Sequence, residues 1–350
     1  MNVGFIGGGS IATMHAERIE TLGETVAAVA DIAPDVRASF VEAYDVPHAY
    51  DDYEEMIDDV DLDVVAVTVP NALHADCAIA ALEADCDVFL EKPVAHTLAD
   101  AERIADAAET SDGEIVVGFM MTFDSSVEAL LDATSDGEFG DVYEVSVEYV
   151  RRRGIPQLGG WFTRKAVAGG GAVIDIGPHV LHLALSVLDF PEIERVSAAT
   201  GTHFGDKDDY TYLSMWAGEP REDATFDVED YARALAYTAD GAVIHLDCTW
   251  ASNRDPAQGI EISGTESGAR LQPGGGPLRL LGTKGDGLSD TTVETREIDR
   301  YLAEWEYVFD VFRGEIAHEQ NTLEEGLAVQ RLIDAIYRSA EEGTDVAMDG

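Results

Sequence analysis

Three stretches of this sequence hold residues whose types and spacing suit chemistry. The first is Gly7-Gly8-Gly9-Ser10-Ile11-Ala12, which fits the pattern G-x-G-x-x-G/A. Glycines at Gly7 and Gly9 permit a tight turn and a close approach of backbone to a pyrophosphate. A helix opening at Ser10 and Ile11 would add N–H donors and the positive end of its dipole. Asp31 ends the second apolar run, 19 residues after Ala12, where a carboxylate bonds an adenosine ribose 2′-hydroxyl and repels a 2′-phosphate. NAD is therefore expected over NADP, although Arg37 lies near enough in sequence to serve a phosphate. Strand, loop, helix and spaced acid together outweigh the alternative of a glycine turn with an incidental aspartate.

The second stretch is Glu91-Lys92-Pro93, directly after the apolar Val88–Leu90. That places it at the carboxyl end of an expected strand, where ligands gather in open α/β sheets. The chain has only four lysines, Lys92, Lys165, Lys207 and Lys284, and sets one beside this crevice. A salt-bridged structural lysine is the competing reading. The third stretch is Gly169-Gly170-Gly171-Ala172-Val173-Ile174-Asp175-Ile176-Gly177-Pro178-His179. Asp175 and His179 are four apart and share a face if the segment is helical. Pro178 disfavours a helix interior and is compatible with a first turn, with Asp175 near the cap. Either geometry keeps the two side chains within reach. The structural alternative is a core histidine paired with an N-cap aspartate. His182 offers a third ligand to a metal, but the spacing is not H-E-x-x-H and no Cys or His cluster adjoins, so no metal is expected.

These residues need a scaffold, and the hydrophobic pattern supplies one. Val3–Ile6, Thr25–Ala30, Val64–Val69, Val88–Leu90 and Ile115–Gly118 read as strands buried on both faces, with helical stretches such as His74–Glu83 and Leu98–Glu109 between them. Alternation of this kind predicts a doubly wound parallel sheet. Beyond about residue 140 the runs Val142–Tyr149, Tyr210–Trp216, Tyr231–Thr238 and Val243–Trp250 alternate apolar with polar. Ala239-Asp240-Gly241 makes a hairpin turn, and Gly259–Gly264 with Ala269–Leu271 makes a second hairpin. Val180–Leu188, Tyr301–Phe312 and Leu323–Glu342 read as helices. The expected fold is α/β: a Rossmann domain over 1–120 and an α/β domain with an open, mostly antiparallel sheet over 121–350. The last helix is expected to pack back on the first domain.

At 350 residues the chain suits two domains, and no run of 18 apolar residues suggests a membrane span. Its start has no basic region ahead of the apolar Val3–Ile6, so no signal peptide is expected, and three unpaired-looking cysteines fit a reducing cytoplasm. Acids outnumber bases 69 to 22, for a net charge of −47. Such a surface excludes nucleic acid and anionic membranes as partners. Its self-repulsion suits a salt-rich cytoplasm, where the Debye length falls to about 3 Å at molar salt. Residues 149–174 contain no acid, where about five would fall by chance, yet carry Arg151, Arg152, Arg153, Arg164 and Lys165. These cations face either an anionic substrate or the protein's own acids.

Taken together, the GGGSIA loop, Pro70-Asn71 with His74, Glu91-Lys92-Pro93, GGGAVIDIGPH and the tail from Gln330 to Ala340 resemble the Gfo/Idh/MocA family of oxidoreductases. The likeness implies oxidation or reduction at a CH–OH carbon of a sugar, sugar derivative or cyclic polyol. By it Lys92, Asp175 and His179 are the catalytic group, and the exposed sheet face makes a homodimer or homotetramer. His179 would be the base, Asp175 its orienting partner, and Lys92 the stabiliser of the developing alkoxide. Gly7, Gly9, Ser10, Ile11, Asp31, Thr68, Asn71, His74, Glu91 and Lys92 are expected at the cofactor. Arg151, Trp161, Lys165 and His182 are expected at the substrate. The chain departs from the family at His182, at Phe162 after Trp161, and in Gly118–Phe123, which lacks a common arginine, so specificity does not carry over. Two other functions compete: an NAD-dependent glycosidase and a non-catalytic nicotinamide-binding regulator.

Overall fold

The computed structural model describes residues 1–213, 218–221, 225–274 and 276–348. Its contacts divide the chain into two units, Met1–Phe119 with Asp299–Leu327, and Met120–Ile298 with Ala328–Gly350. The first unit thus takes in a segment from the end of the chain that the expected boundary near residue 120 assigned to the second.

The first unit is built on β1 (Asn2–Ile6), β2 (Thr25–Ala30), β3 (His48–Tyr50), β4 (Val64–Val67), β5 (Asp87–Leu90) and β6 (Ile115–Val117). They form one parallel sheet in the order β3-β2-β1-β4-β5-β6. Between them run α1 (Ser10–Thr21), α2 (Pro34–Tyr44), α3 (Tyr53–Asp59), α4 (His74–Glu83) and α5 (Leu98–Ala108). Strands such as Val64–Val67 are apolar at every position because helices cover both faces of the sheet.

In the second unit α6 (Ser125–Ser135) leads into β7 (Val142–Val150), followed by α7 (Lys165–Ala168) and α8 (Ala172–Val187). Then come β8 (Ile193–Gly201), β9 (Tyr231–Thr238), β10 (Val243–Thr249), β11 (Ala257–Gly264), β12 (Gly268–Leu271), β13 (Leu278–Lys284), β14 (Gly287–Val293) and, near the end, β15 (Val346–Ala347). The sheet order is β14-β13-β12-β11-β7-β10-β9-β8-β15, with β7 and β10 parallel and the other pairs antiparallel. One face carries α8, and the other is an open groove of about 960 Å³ where Arg233 pairs with Asp247 and where Arg270 and Arg279 also lie. Of the expected strand Tyr210–Trp216, residues 210–213 form no strand and 214–216 lie outside the described residues. Helix α8 runs straight through Pro178, so the proline sits in its interior and not in its first turn. Burial of nearly the whole helix stabilises it against the one backbone bond Pro178 removes.

The chain then returns to the first unit as α9 (Arg300–Phe312) and continues into α10 (Leu323–Glu342), ahead of β15. Trp305, Val308 and Phe309 of α9 enter the first core beside Phe5, Phe40 and Phe89. Each such fully buried side chain contributes about 1.5–3 kcal/mol. Four of these helices are capped locally: Asp52, Thr97, Asp124 and Asp299 each accept an N–H of the turn they precede. By contrast α1 and α8 begin on Gly9 and Gly171, which have no cap to give.

Candidate active site

Strand order reverses between β1 and β4, and the crevice at their carboxyl ends is where open α/β sheets bind ligands. Gly7 turns there at φ +94°, with Thr68 O only 2.8 Å from where a Cβ would stand, so a side chain does not fit. Thr68 is buried and donates its hydroxyl to the carbonyls of Ile6 (3.1 Å) and Gly7 (2.9 Å), so it holds the loop from behind. Asp31 accepts the Gly8 N–H at 2.8 Å through one oxygen and the Ala33 N–H at 2.8 Å through the other. Arg37 donates to the Asp31 carbonyl. Ahead of α1, nothing would lie within 4 Å of a Cβ on Gly9, and Ser10 is exposed. An uncapped helix start facing open space, with a carboxylate fixed to the same loop, fits a dinucleotide pyrophosphate and ribose.

Two strands along, Glu91-Lys92-Pro93 leaves the end of β5. Glu91 is buried, its Oε1 2.8 Å from His15 Nε2 and its Oε2 accepting the Lys92 N–H at 3.1 Å. Burial raises this carboxyl, but His15, through its hydrogen bond and its electrostatic pull, and then the charge of Lys92 outweigh it and hold the carboxyl below its ordinary range. Asn71 is likewise buried, at the start of a short 3₁₀ turn after β4. His74 corrects its expected place at the cofactor. It is 1% exposed, with Nδ1 2.8 Å from Pro93 O and Nε2 2.9 Å from Val69 O, so it ties the exits of β4 and β5 together. Burial lowers its pKa against the pull of those carbonyls.

In the second unit Asp175 and His179 lie one turn apart on α8, Asp175 only 6% exposed and His179 half-buried. Trp250, fully buried, donates its indole N–H to Asp175 Oδ2 at 2.8 Å, and Arg151 Nη1 stands 3.7 Å from the same oxygen. Burial opposes the charge on Arg151, yet Asp175 and Tyr149 hold its proton more tightly than usual. Ahead of α8, Glu229 accepts the N–H groups of Gly171 (3.0 Å) and Val173 (2.9 Å) and the Tyr337 hydroxyl (2.9 Å). Burial pushes the Glu229 carboxyl up against the pull of these donors. The helix that carries Asp175 and His179 is thus anchored by a carboxylate from outside its own sequence.

Of the five cations in the acid-free window, Arg151 and Arg153 are turned to internal work, while Arg152, Arg164 and Lys165 are exposed. Besides Arg151, Arg153 donates to Ser252 O and Asn253 Oδ1 (2.9 Å) and lies over the Phe204 ring. Trp161 stacks on Phe162 with ring centres 3.7 Å apart, and Lys165 is exposed at the start of α7. His182 corrects its expected place at the substrate: it is 1% exposed, with its ring 5.6 Å from that of Phe190. Among the described residues no three His, Cys, Asp or Glu side chains are grouped to hold a metal.

Residues 1–119 match the oxidoreductase family with an NAD-binding Rossmann fold, and residues 127–270 match the GFO/IDH/MocA C-terminal domain. The D-glucoside 3-dehydrogenase of Escherichia coli (strain K12) is 30% identical over 99% of this chain and 97% of its own length. The chain belongs to the Gfo/Idh/MocA family. It is an NAD(P)-dependent oxidoreductase acting on CH–OH groups. A D-xylose 1-dehydrogenase (NADP(+)) of Haloferax volcanii is 28% identical over the whole of both chains. Among solved structures, a levoglucosan dehydrogenase complex with NADH shares the fold at TM-score 0.85 and 23% identity, over 100% of this chain and 99% of that one.

Four supporting residues escape the sequence reading: His15, Trp305, Trp250 and Glu229. Their partners are remote, with His15 and Trp305 290 positions apart. The available signal is chemical, since a buried tryptophan needs a partner for its N–H.

Proposed function

We propose that this oxidoreductase moves a hydride between nicotinamide and a ring carbinol of a neutral sugar or sugar derivative, with NAD favoured over NADP. The observation that carries this reading is the placement, at the carboxyl ends of one sheet, of the open α1 start and of Lys92 held by Glu91. NAD, when bound, takes up or returns the hydride. The chain's own residues manage the proton and the charge. His179 removes the hydroxyl proton, and Lys92 stabilises the oxygen as negative charge develops on it. Asp175, fixed by Trp250 and Arg151, orients His179 or a neighbouring hydroxyl. Asp31 disfavours a 2′-phosphate, and Arg37 is engaged with the Asp31 carbonyl. A neutral substrate is favoured over an anionic one because Arg151 and Arg153 already have partners inside the fold. A pyranoside is the first candidate, since the E. coli relative is a glucoside dehydrogenase.

The excess of 69 acids over 22 bases suits work in a salt-rich cytoplasm. One spectrophotometric screen tests substrate, cofactor and salt together. Glucosides, aldoses, uronic acids and inositols are assayed with NAD and with NADP, at about 2 M and about 0.1 M KCl, spanning strong to weak screening. The expected result is NAD reduction by a neutral pyranose or pyranoside, faster at high salt. Preference for uronic acids, for NADP, or for low salt would each overturn the corresponding part.

A further inference from the structure

The indole of Trp305 donates to His15 Nδ1 at 2.9 Å, and both side chains are fully buried. An indole N–H is only a donor, so Nδ1 must be the acceptor and the imidazole proton must sit on Nε2. That nitrogen faces Glu91 Oε1 at 2.8 Å, so the ring donates there. The carboxylate's other oxygen accepts the main-chain N–H of Lys92 at 3.1 Å. The ring is further boxed by Phe89, Tyr301 and Trp305, with centres 4.9, 6.0 and 5.8 Å away.

We propose that Trp305 and His15 are positioning residues for Lys92: the indole locks the imidazole as the Nε2–H tautomer, and that N–H keeps Glu91 ionised and turned toward Lys92. The inference rests on the reading of Lys92 as catalytic. Groups facing Glu91 come from three helices and its own loop: His15 on α1, His74 on α4, Glu304 and Tyr301 on α9, and Lys92 beside it. Burial and the Glu91 charge push the Glu304 carboxyl well up, and push Tyr301 up to about 12. His15 is a donor from outside the strand of Glu91 that bonds its carboxylate directly.

The test compares His15→Phe, which keeps a ring but removes both bonds, with His15→Gln, whose amide can donate and accept. Steady-state kinetics with the active sugar are paired with NADH fluorescence titration. For His15→Phe, kcat should fall about 10- to 100-fold, as for a misplaced catalytic group. NADH affinity should hold. A buried Glu91 without its donor takes a proton more readily, so the acid limb of kcat should move up by about one pH unit. His15→Gln should recover most of the rate and return the limb. Near-normal kcat in His15→Phe, or a loss that His15→Gln fails to rescue with the limb unmoved, overturns the proposal. Should His15→Phe not fold, Trp305→Phe carries the test: with Nδ1 released, a new ionisation should enter the acid limb, and an unchanged profile overturns the proposal. Lys92→Ala is measured in parallel. Full turnover there refutes the reading of Lys92 itself, whereas an inactive Lys92→Ala beside a normal His15→Phe refutes the tautomer lock alone.

Discussion

Two helices in this protein start on three glycines, and they use them in opposite ways. At Gly7-Gly8-Gly9 the start of α1 faces open space, and the loop behind it is fixed by Thr68 and Asp31. At Gly169-Gly170-Gly171 the start of α8 is filled. A Cβ on Gly170 would overlap the Tyr337 hydroxyl, one on Gly171 would overlap the Glu229 carbonyl, and the Glu229 carboxylate takes the helix's first N–H groups. The same local sequence therefore makes a ligand cradle in one unit and a packed anchor in the other. What decides between them is whether a distant carboxylate reaches the helix end. Unsatisfied N–H groups at a helix start are a binding site only while the fold leaves them unanswered.

Substituting one glycine in each turn can break that contrast. Gly171→Ala should have the larger effect, destabilising the protein by about 3 kcal/mol through overpacking against Glu229. Thermal unfolding at fixed molar KCl measures it, and a melting temperature equal to that of the unmodified protein would show that the α8 start has slack. Gly9→Ala should be the milder change. Gly9 has φ −74° and ψ −170°, a conformation open to any residue, and space for a methyl group. Its stability should stay within about 0.5 kcal/mol of the unmodified protein. Its affinity for NADH should fall about tenfold, or about 1.4 kcal/mol, as the methyl group takes space meant for the pyrophosphate. Unchanged NADH affinity would remove Gly9 from the cradle.

How much of this was legible in the sequence depends on how far apart the partners lie. The strand runs Thr25–Ala30 and Tyr231–Thr238 and the helices His74–Glu83 and Leu323–Glu342 emerge with the bounds their patterns predict. Each pattern is local, and burial of one or both faces writes it directly. β14 is different: its side chains are largely exposed, so no alternation marks it, and its order comes from pairing with β13. Of the expected site residues, Asp31, Lys92, Asp175 and His179 occupy the strand ends and helix turns that their spacing implied. His74 and His182 are both turned into the fold, 1% exposed, because a histidine's type says nothing about which way the fold turns it. The supports of Glu91 and Asp175 were invisible for a further reason. His15 and Trp250 reach them across 76 and 75 residues, and Trp305 reaches His15 across 290; no spacing rule spans such distances. Function was readable where one segment supplies its own geometry, and unreadable where a second segment supplies the last hydrogen bond.

The central claim is that Lys92 acts in the chemistry and not in holding the cofactor. Lys92→Ala should be assayed for turnover with the active sugar and for NADH binding by fluorescence titration, both at molar KCl. The account predicts a loss of kcat of about 10²-fold or more, the scale of removing one group that stabilises developing charge. NADH affinity should stay within about threefold, or about 0.65 kcal/mol. Turnover near that of the unmodified protein would contradict the account, as would a loss explained wholly by failure to bind NADH.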